Sequence, residues 1–264
     1  MKKFELFRAI MFGILASILL LGCSSDADEQ EIAEEAKLTD TELQAVFETE
    51  EWTGVADSAL SELYQAGNSA SGKTAANECY SAEYTENGFT ATFANCVLNG
   101  TENVNGTLVV VYGVSEETAE YTATYDGFFV GEVELNGTRS YVLSQGMNEN
   151  SISLTVVSDM SVTMPDGSML SESGTRTVEF AFGENFSDST VSLSGDWTLI
   201  KDGNTYSVAI ESPLTGNFSC EYLVSGLMEI SKNGLAVMVD LGDGSCDNTA
   251  TLTYPNGAQE TLEF

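Results

Sequence analysis

The chain has 264 residues, 41 Asp and Glu against nine Lys and Arg, a formal net charge of −32 and no histidine. Such acidity excludes a nucleic-acid partner, because phosphate binding needs clustered Lys and Arg. The missing histidine excludes His-based triads, His acid–base catalysis and His-ligated zinc.

Residues 1–22 read as a lipoprotein signal peptide. Lys2, Lys3 and Arg8 precede the apolar run "AIMFGILASILLLG", which is short for a membrane span. Leu20 to Cys23 spell "LLGC", the lipobox pattern in which the cysteine is lipidated and becomes the new N-terminus. Cys23 is therefore the expected acylation site, and three acyl chains hold a protein stably to a bilayer. Ser24, rather than Asp, follows it, which points to the outer membrane, periplasmic or surface-facing. Cleavage takes three cations and one acid from a chain of net charge −32, leaving −34. Anionic headgroups repel such a domain, so the lipid is its expected membrane attachment.

Residues 23–38 read as a disordered acidic tether, rich in Asp, Glu, Ala and Ser and without aromatics. Residues 39–67 read as a helical segment. Thr39 and Glu42 have capping-box spacing, and Leu43, Val46 and Phe47, then Ala56, Leu60, Leu63 and Tyr64, follow a helical period. Gly54 divides two short helices and Gly67 ends the second. Their apolar stripes are expected to cover a sheet.

Residues 78–264 read as an antiparallel β domain of roughly a dozen strands. Asn-Gly or Asp-Gly begins at Asn87, Asn105, Asp126, Asn136, Asp166, Asp202, Asn233 and Asn256, each supplying the positive φ of a tight hairpin. Around Asp202-Gly203 a two-residue turn places Leu199 opposite Tyr206, Trp197 opposite Val208 and Gly195 opposite Ile210, leaving Thr198 and Ser207 on the other face. The fold class is mainly β: a large antiparallel meander sheet, either a curled open barrel or two stacked sheets, with short N-terminal helices packed on it.

Four cysteines remain beyond Cys23, and an oxidising compartment pairs them. An Asn87-Gly88 turn puts Cys79 directly opposite Cys96, on the face away from Tyr80, Ala82, Tyr84, Phe89, Ala91 and Phe93. Cys220 and Cys246 flank Asn233-Gly234 in the same way. A three-residue loop there aligns the cysteines. A two-residue loop aligns Met228 with Val239 and Ile230 with Val237. A bulge at Gly226 in the earlier strand reconciles the two. The expected bridges are Cys79–Cys96 and Cys220–Cys246.

Asp240, Asp243, Asp247 and Asn248 form the densest cluster of oxygen ligands and are the candidate calcium site, although the spacing is not that of an EF-hand. A solvated Gly-rich turn explains the same residues. Trp52 and Trp197 could stack on sugars, but Trp197 falls on the apolar face, as a core residue does. No nucleophile motif, phosphate loop or dinucleotide fingerprint is present.

With the lipobox, the Cys79/Cys96 hairpin and the run "SPLTGNFSCEYLVSG…VDLGDGSCDNTATLTYPNG" in view, the chain resembles acidic, β-rich lipoproteins of marine and flavobacterial-type bacteria, which share a C…VSG…DGxCDN pattern. The resemblance implies an architecture and a habitat, and no activity. The expected protein is a monomeric, non-enzymatic structural or interaction module of the envelope, without a cofactor. The alternatives are a carrier of lipid or another hydrophobic ligand in a half-open barrel, and a calcium-dependent adhesin.

Overall fold

The computed structural model describes residues 37–39, 42–43, 46, 60, 74–76, 79–97, 103–113, 115 and 118–263. Fourteen strands follow one another: β1 Thr74–Ala76, β2 Tyr80–Thr85, β3 Gly88–Val97, β4 Asn103–Tyr112, β5 Ala119–Val130, β6 Val133–Gln145 and β7 Ser151–Thr163, then β8 Met169–Ala181, β9 Thr190–Lys201, β10 Asn204–Asn217, β11 Ser225–Lys232, β12 Leu235–Asp243, β13 Thr249–Thr253 and β14 Gln259–Glu263. They form one antiparallel sheet in sequence order, and among the described residues β1 pairs only with β2 and β14 only with β13. The meander expected from the sequence is present, and it is not closed.

Alternation decides the faces. Tyr80, Ala82, Phe89, Ala91 and Phe93 are buried while Ser81, Glu83, Thr90 and Thr92 are exposed. The same parity runs through Leu108, Tyr125, Leu135, Leu199, Val208, Ile230, Val237 and Leu252, which join one continuous core. The opposite face is rich in Ser and Thr, which bond across strands where they face each other. Thr122 meets Ser140 at 2.8 Å and Thr155 meets Thr177 at 2.9 Å.

The Asp202-Gly203 hairpin has the expected register from Tyr206–Leu199 to Ala209–Asp196. Asp202 (φ 52°) and Gly203 (φ 76°) both adopt the left-handed region, as this turn requires. The pairing of Gly195 with Ile210 does not form, because the register shifts between Ala209 and Leu214.

Three of the eight Asn/Asp-Gly pairs lie wholly inside strands. Asn105-Gly106, Asp126-Gly127 and Asn136-Gly137 lie inside β4, β5 and β6, where they mark bulges. Their Asn side chains accept backbone N–H groups freed on the neighbouring strand: Asn105 Oδ1 from Asn95 and Asn136 Oδ1 from Gly127, each at 2.7 Å. At Gly106 (φ 102°) a Cβ would lie 2.1 Å from the Gly127 carbonyl oxygen, whereas at Gly127 it would meet nothing within 4 Å. Gly106→Ala should therefore cost more than the roughly 1–3 kcal/mol of a strained backbone alone. Gly127→Ala should cost no more than that strain. Urea midpoints of the two variants test this, and equal losses would remove the close-approach explanation.

The two N-terminal helices are not among the elements of the described residues. Glu42, Leu43, Val46 and Leu60 have helical backbone, and the rest of 40–67 lies outside the described residues. The capping box does form. Thr39 N–H donates to Glu42 Oε2 at 3.0 Å, and Glu42 N–H donates to Thr39 Oγ1 at 3.3 Å. Leu38, Leu43, Val46 and Leu60 are buried in the same core as the sheet.

Both expected disulfides are present, with Cα separations of 5.2 Å (Cys79–Cys96) and 5.3 Å (Cys220–Cys246). The first is reached by a different register. Thr85 pairs with Gly88, so the turn is Glu86-Asn87 rather than Asn87-Gly88. Thr85 Oγ1 accepts from Asn87 N–H and donates to the Gly88 carbonyl, closing that turn. Gly88 is used instead for close strand approach: a Cβ there would sit 1.9 Å from the Val110 carbonyl oxygen. Cys79 consequently faces Ala94, whose N–H donates to its carbonyl. A bulge at Asn95 (φ 59°) turns Cys96 onto the buried face, so the bridge staples the core side rather than the polar side.

Cys220 and Cys246 lie in the β10–β11 and β12–β13 turns. β11 and β12 pair in the two-residue register, Met228 with Val239 and Ile230 with Val237. The irregularity does fall at Gly226, but the extra residue is on the later strand, with Leu241 and Gly242 set against it.

Candidate functional site

The central strands carry polar side chains at buried positions. Arg139 on β6 faces Ser158 on β7, Ser158 faces Gly174 on β8, and Gly174 faces Trp197 on β9. Two residues to either side of Gly174, on the same face of β8, stand Glu172 and Arg176. Exposures of 1% for Glu172, 3% for Ser158, 4% for Arg139, 5% for Arg176 and 7% for Trp197 put all five inside the core.

The contacts explain the spacing. Arg176 Nη1 donates to Glu172 Oε1 at 2.7 Å, and its guanidinium lies 4.1 Å from the Trp197 ring centroid. This arrangement needs glycine beneath it: a Cβ at Gly174 would come within 2.4 Å of Trp197 Cα. Arg139 stands 5.8 Å from the ring centroid of Tyr141, which stacks on Tyr121 at 4.5 Å. Three buried polar atoms, Ser158 Oγ, Glu172 Oε2 and Trp197 Nε1, have no hydrogen-bond partner. Each such atom costs roughly 1–3 kcal/mol if nothing meets it. Apolar residues stand opposite the cluster on the neighbouring strands: Val156 faces Arg176, Met160 and Leu199 face Glu172, and Val208 faces Trp197.

This cluster was missed in the sequence because two Arg and one Glu carry no motif. The usable signal was parity. Arg139 alternates with Leu135 and Tyr141, Glu172 with Leu170, and Ser158 with Val156 and Met160, all at core positions.

The candidate calcium residues are not brought together. Asp240 Oδ1 accepts from Gly242 N–H, Asp243 Oδ1 from Ser245 N–H, and Asp247 Oδ1 from Thr249 N–H. Each aspartate closes its own turn, and bonds from the Ser245 hydroxyl and N–H hold the Asp243 carboxyl below its ordinary value. Asn248 is exposed beside them. Among the described residues no group of three or more Asp, Glu, Cys or His could hold a metal ion. Cys23 and Trp52 lie outside the described residues.

A second polar arrangement ties the N-terminal residues to the later strands. The Glu42 carboxylate takes the Lys232 ammonium and the Tyr206 hydroxyl, and Lys37 pairs with Glu260, which also accepts from Tyr254. Burial pushes Glu42 upward, but the Lys232 ammonium and Thr39 N–H outweigh it and leave its carboxyl below the ordinary value. Glu260 is lowered chiefly by Lys37. Groups depressed in the fold stabilise it above the ordinary carboxylate pKa and lose that contribution as pH falls through the folded value. The difference in urea midpoint between the parent and Lys232→Met should therefore be present at pH 6 and shrink as pH falls below the ordinary carboxylate range. A difference unchanged across that range would refute the contribution of Glu42.

The chain matches no family model, and no curated protein or solved structure shows significant similarity to it. Among the described residues no helix is long and apolar enough to cross a membrane, which leaves crossing by strands unaddressed.

Proposed function

We propose that the protein is a lipid-anchored, non-enzymatic structural or interaction module of the bacterial outer membrane, held to the bilayer through Cys23 and acting as a monomer. The observation that carries this reading is the pair of disulfides across an acidic domain, since such bridges persist in oxidising compartments. The lipobox supplies the anchor and the Ser/Thr-rich outer face a hydrated surface. The test is metabolic palmitate labelling with envelope fractionation. The parent should be labelled and recovered with the outer membrane, and Cys23→Ser should lose both. An unlabelled parent, or a Cys23→Ser variant still in the outer membrane, would refute the anchor.

A second reading, a carrier of hydrophobic ligands, is favoured by one observation: four polar side chains, Arg139, Ser158, Glu172 and Arg176, are buried in an otherwise apolar sheet face. On this reading the sheet curls around its ligand. The adhesin reading draws no support from Asp240, Asp243 and Asp247, whose carboxylates are engaged in turns.

A further inference from the structure

We infer that the face above Gly174 is a head-group site for a single-chain amphiphile whose head carries both an anionic oxygen and an N–H donor. The inference rests on the carrier reading and adds the chemistry of the ligand. Three atoms define it. Trp197 Nε1 can only donate, Ser158 Oγ can donate or accept, and Glu172 Oε2 is an acceptor; all three are buried and without a partner.

A purely anionic head satisfies the first two and repels the third. A neutral hydroxylated head forgoes the charge that two guanidinia in the same patch favour. A head with a phosphate or carboxylate beside a primary ammonium meets every atom. Its anion takes the Trp197 and Ser158 donors under the field of Arg139 and Arg176, and its ammonium takes Glu172 Oε2. Gly174, between Ser158 and Trp197 in the same row, contributes no side chain there. Val156 opposite Arg176, Met160 and Leu199 opposite Glu172, and Val208 opposite Trp197 supply the apolar surroundings an acyl chain needs.

The probes are three lysolipids of one chain length: lysophosphatidylethanolamine, with anion and donor; lysophosphatidic acid, with the anion alone; and monoacylglycerol, with neither. They are titrated against the mature lipoprotein in a non-ionic detergent and read by native mass spectrometry. The first should bind about tenfold more tightly than the other two, as one or two buried hydrogen bonds allow. Trp197→Phe keeps the ring beneath Arg176 and removes only the N–H; Ser158→Ala removes only the hydroxyl. Each should reduce that preference several-fold without lowering the melting temperature. Equal binding of all three lipids, indifferent to both variants, would overturn the head-group site and leave the carrier reading standing. A bare chain with every lipid would overturn both, with internal water as the partner of the three atoms.

Discussion

Arg176→Leu should cost about 3–5 kcal/mol, because it leaves the Glu172 carboxylate buried without its cation. The pair sits at 2.7 Å with side-chain exposures of 6% and 0%, so solvent cannot take over the charge. The same change removes the guanidinium from the Trp197 face, a contact worth about 0.5–2 kcal/mol. A typical domain has only about 5–15 kcal/mol in total, so the variant should be largely unfolded near its parent's melting temperature. Adding Glu172→Leu should recover most of the loss, since an apolar pair in place of a buried ion pair is often neutral or stabilising. Urea denaturation of the two single variants and the double variant closes the cycle. A loss below about 1 kcal/mol for Arg176→Leu, or additive losses in the double variant, would show that the charges are not energetically buried.

Removing the Cys79–Cys96 bridge by paired serine substitution should cost about 3 kcal/mol, the loop-closure entropy of a bridge spanning 17 residues. The Cys220–Cys246 bridge spans 26 residues and should be worth slightly more, because the cost grows only with the logarithm of loop length. For the first bridge a second loss adds to this. Cys96 is wholly buried, and a serine hydroxyl there enters the core without an assigned partner. Cys79→Ala with Cys96→Ala separates the two contributions. Non-reducing peptide mapping should recover both pairs, and a Cys79–Cys220 peptide would overturn the register of β2 and β3. Equal urea midpoints for the oxidised and reduced protein would overturn the stabilising role.

The faces of the strands were legible because side-chain alternation has a period of two and survives errors in the turns. The β2–β3 hairpin shows this. Its turn was displaced by one residue, yet Tyr80, Ala82, Phe89 and Phe93 still fall on the buried side, because moving the turn from Asn87-Gly88 to Glu86-Asn87 shifts the pairing by two. The position of the cysteines relative to that face was not legible. It depends on the bulge at Asn95, whose stabilising partner, Asn105, lies on the next strand. Glycine misled for the same reason. Gly88, Gly106 and Gly137 look like turn residues locally, but each is required by a backbone oxygen of a neighbouring strand. The polar cluster was the least legible feature, because Glu172 is one acid among 41. Only its parity with Leu170, and that of Arg176 with Val178, sets this pair apart, and such parity becomes informative once the burial of β8 on that face is known.

The connectivity of the sheet makes it a one-dimensional array. Each inner strand leans on its two neighbours in sequence and each end strand on one, so the cohesion of the sheet is a sum of nearest-neighbour couplings, as in solenoid repeats. Such an array frays from its ends, and its ends are its shortest rungs: three residues in β1 and five in each of β13 and β14, against 12 or 13 in each of β5 to β9. The covalent bonds follow the same logic. One disulfide clamps the β2–β3 flank, the other joins the turns on either side of β11 and β12, and the long middle strands have none. Among the described residues, the cysteines stand where thermal opening of a linear lattice would start. Cross-linking there converts two fraying fronts into fixed boundaries.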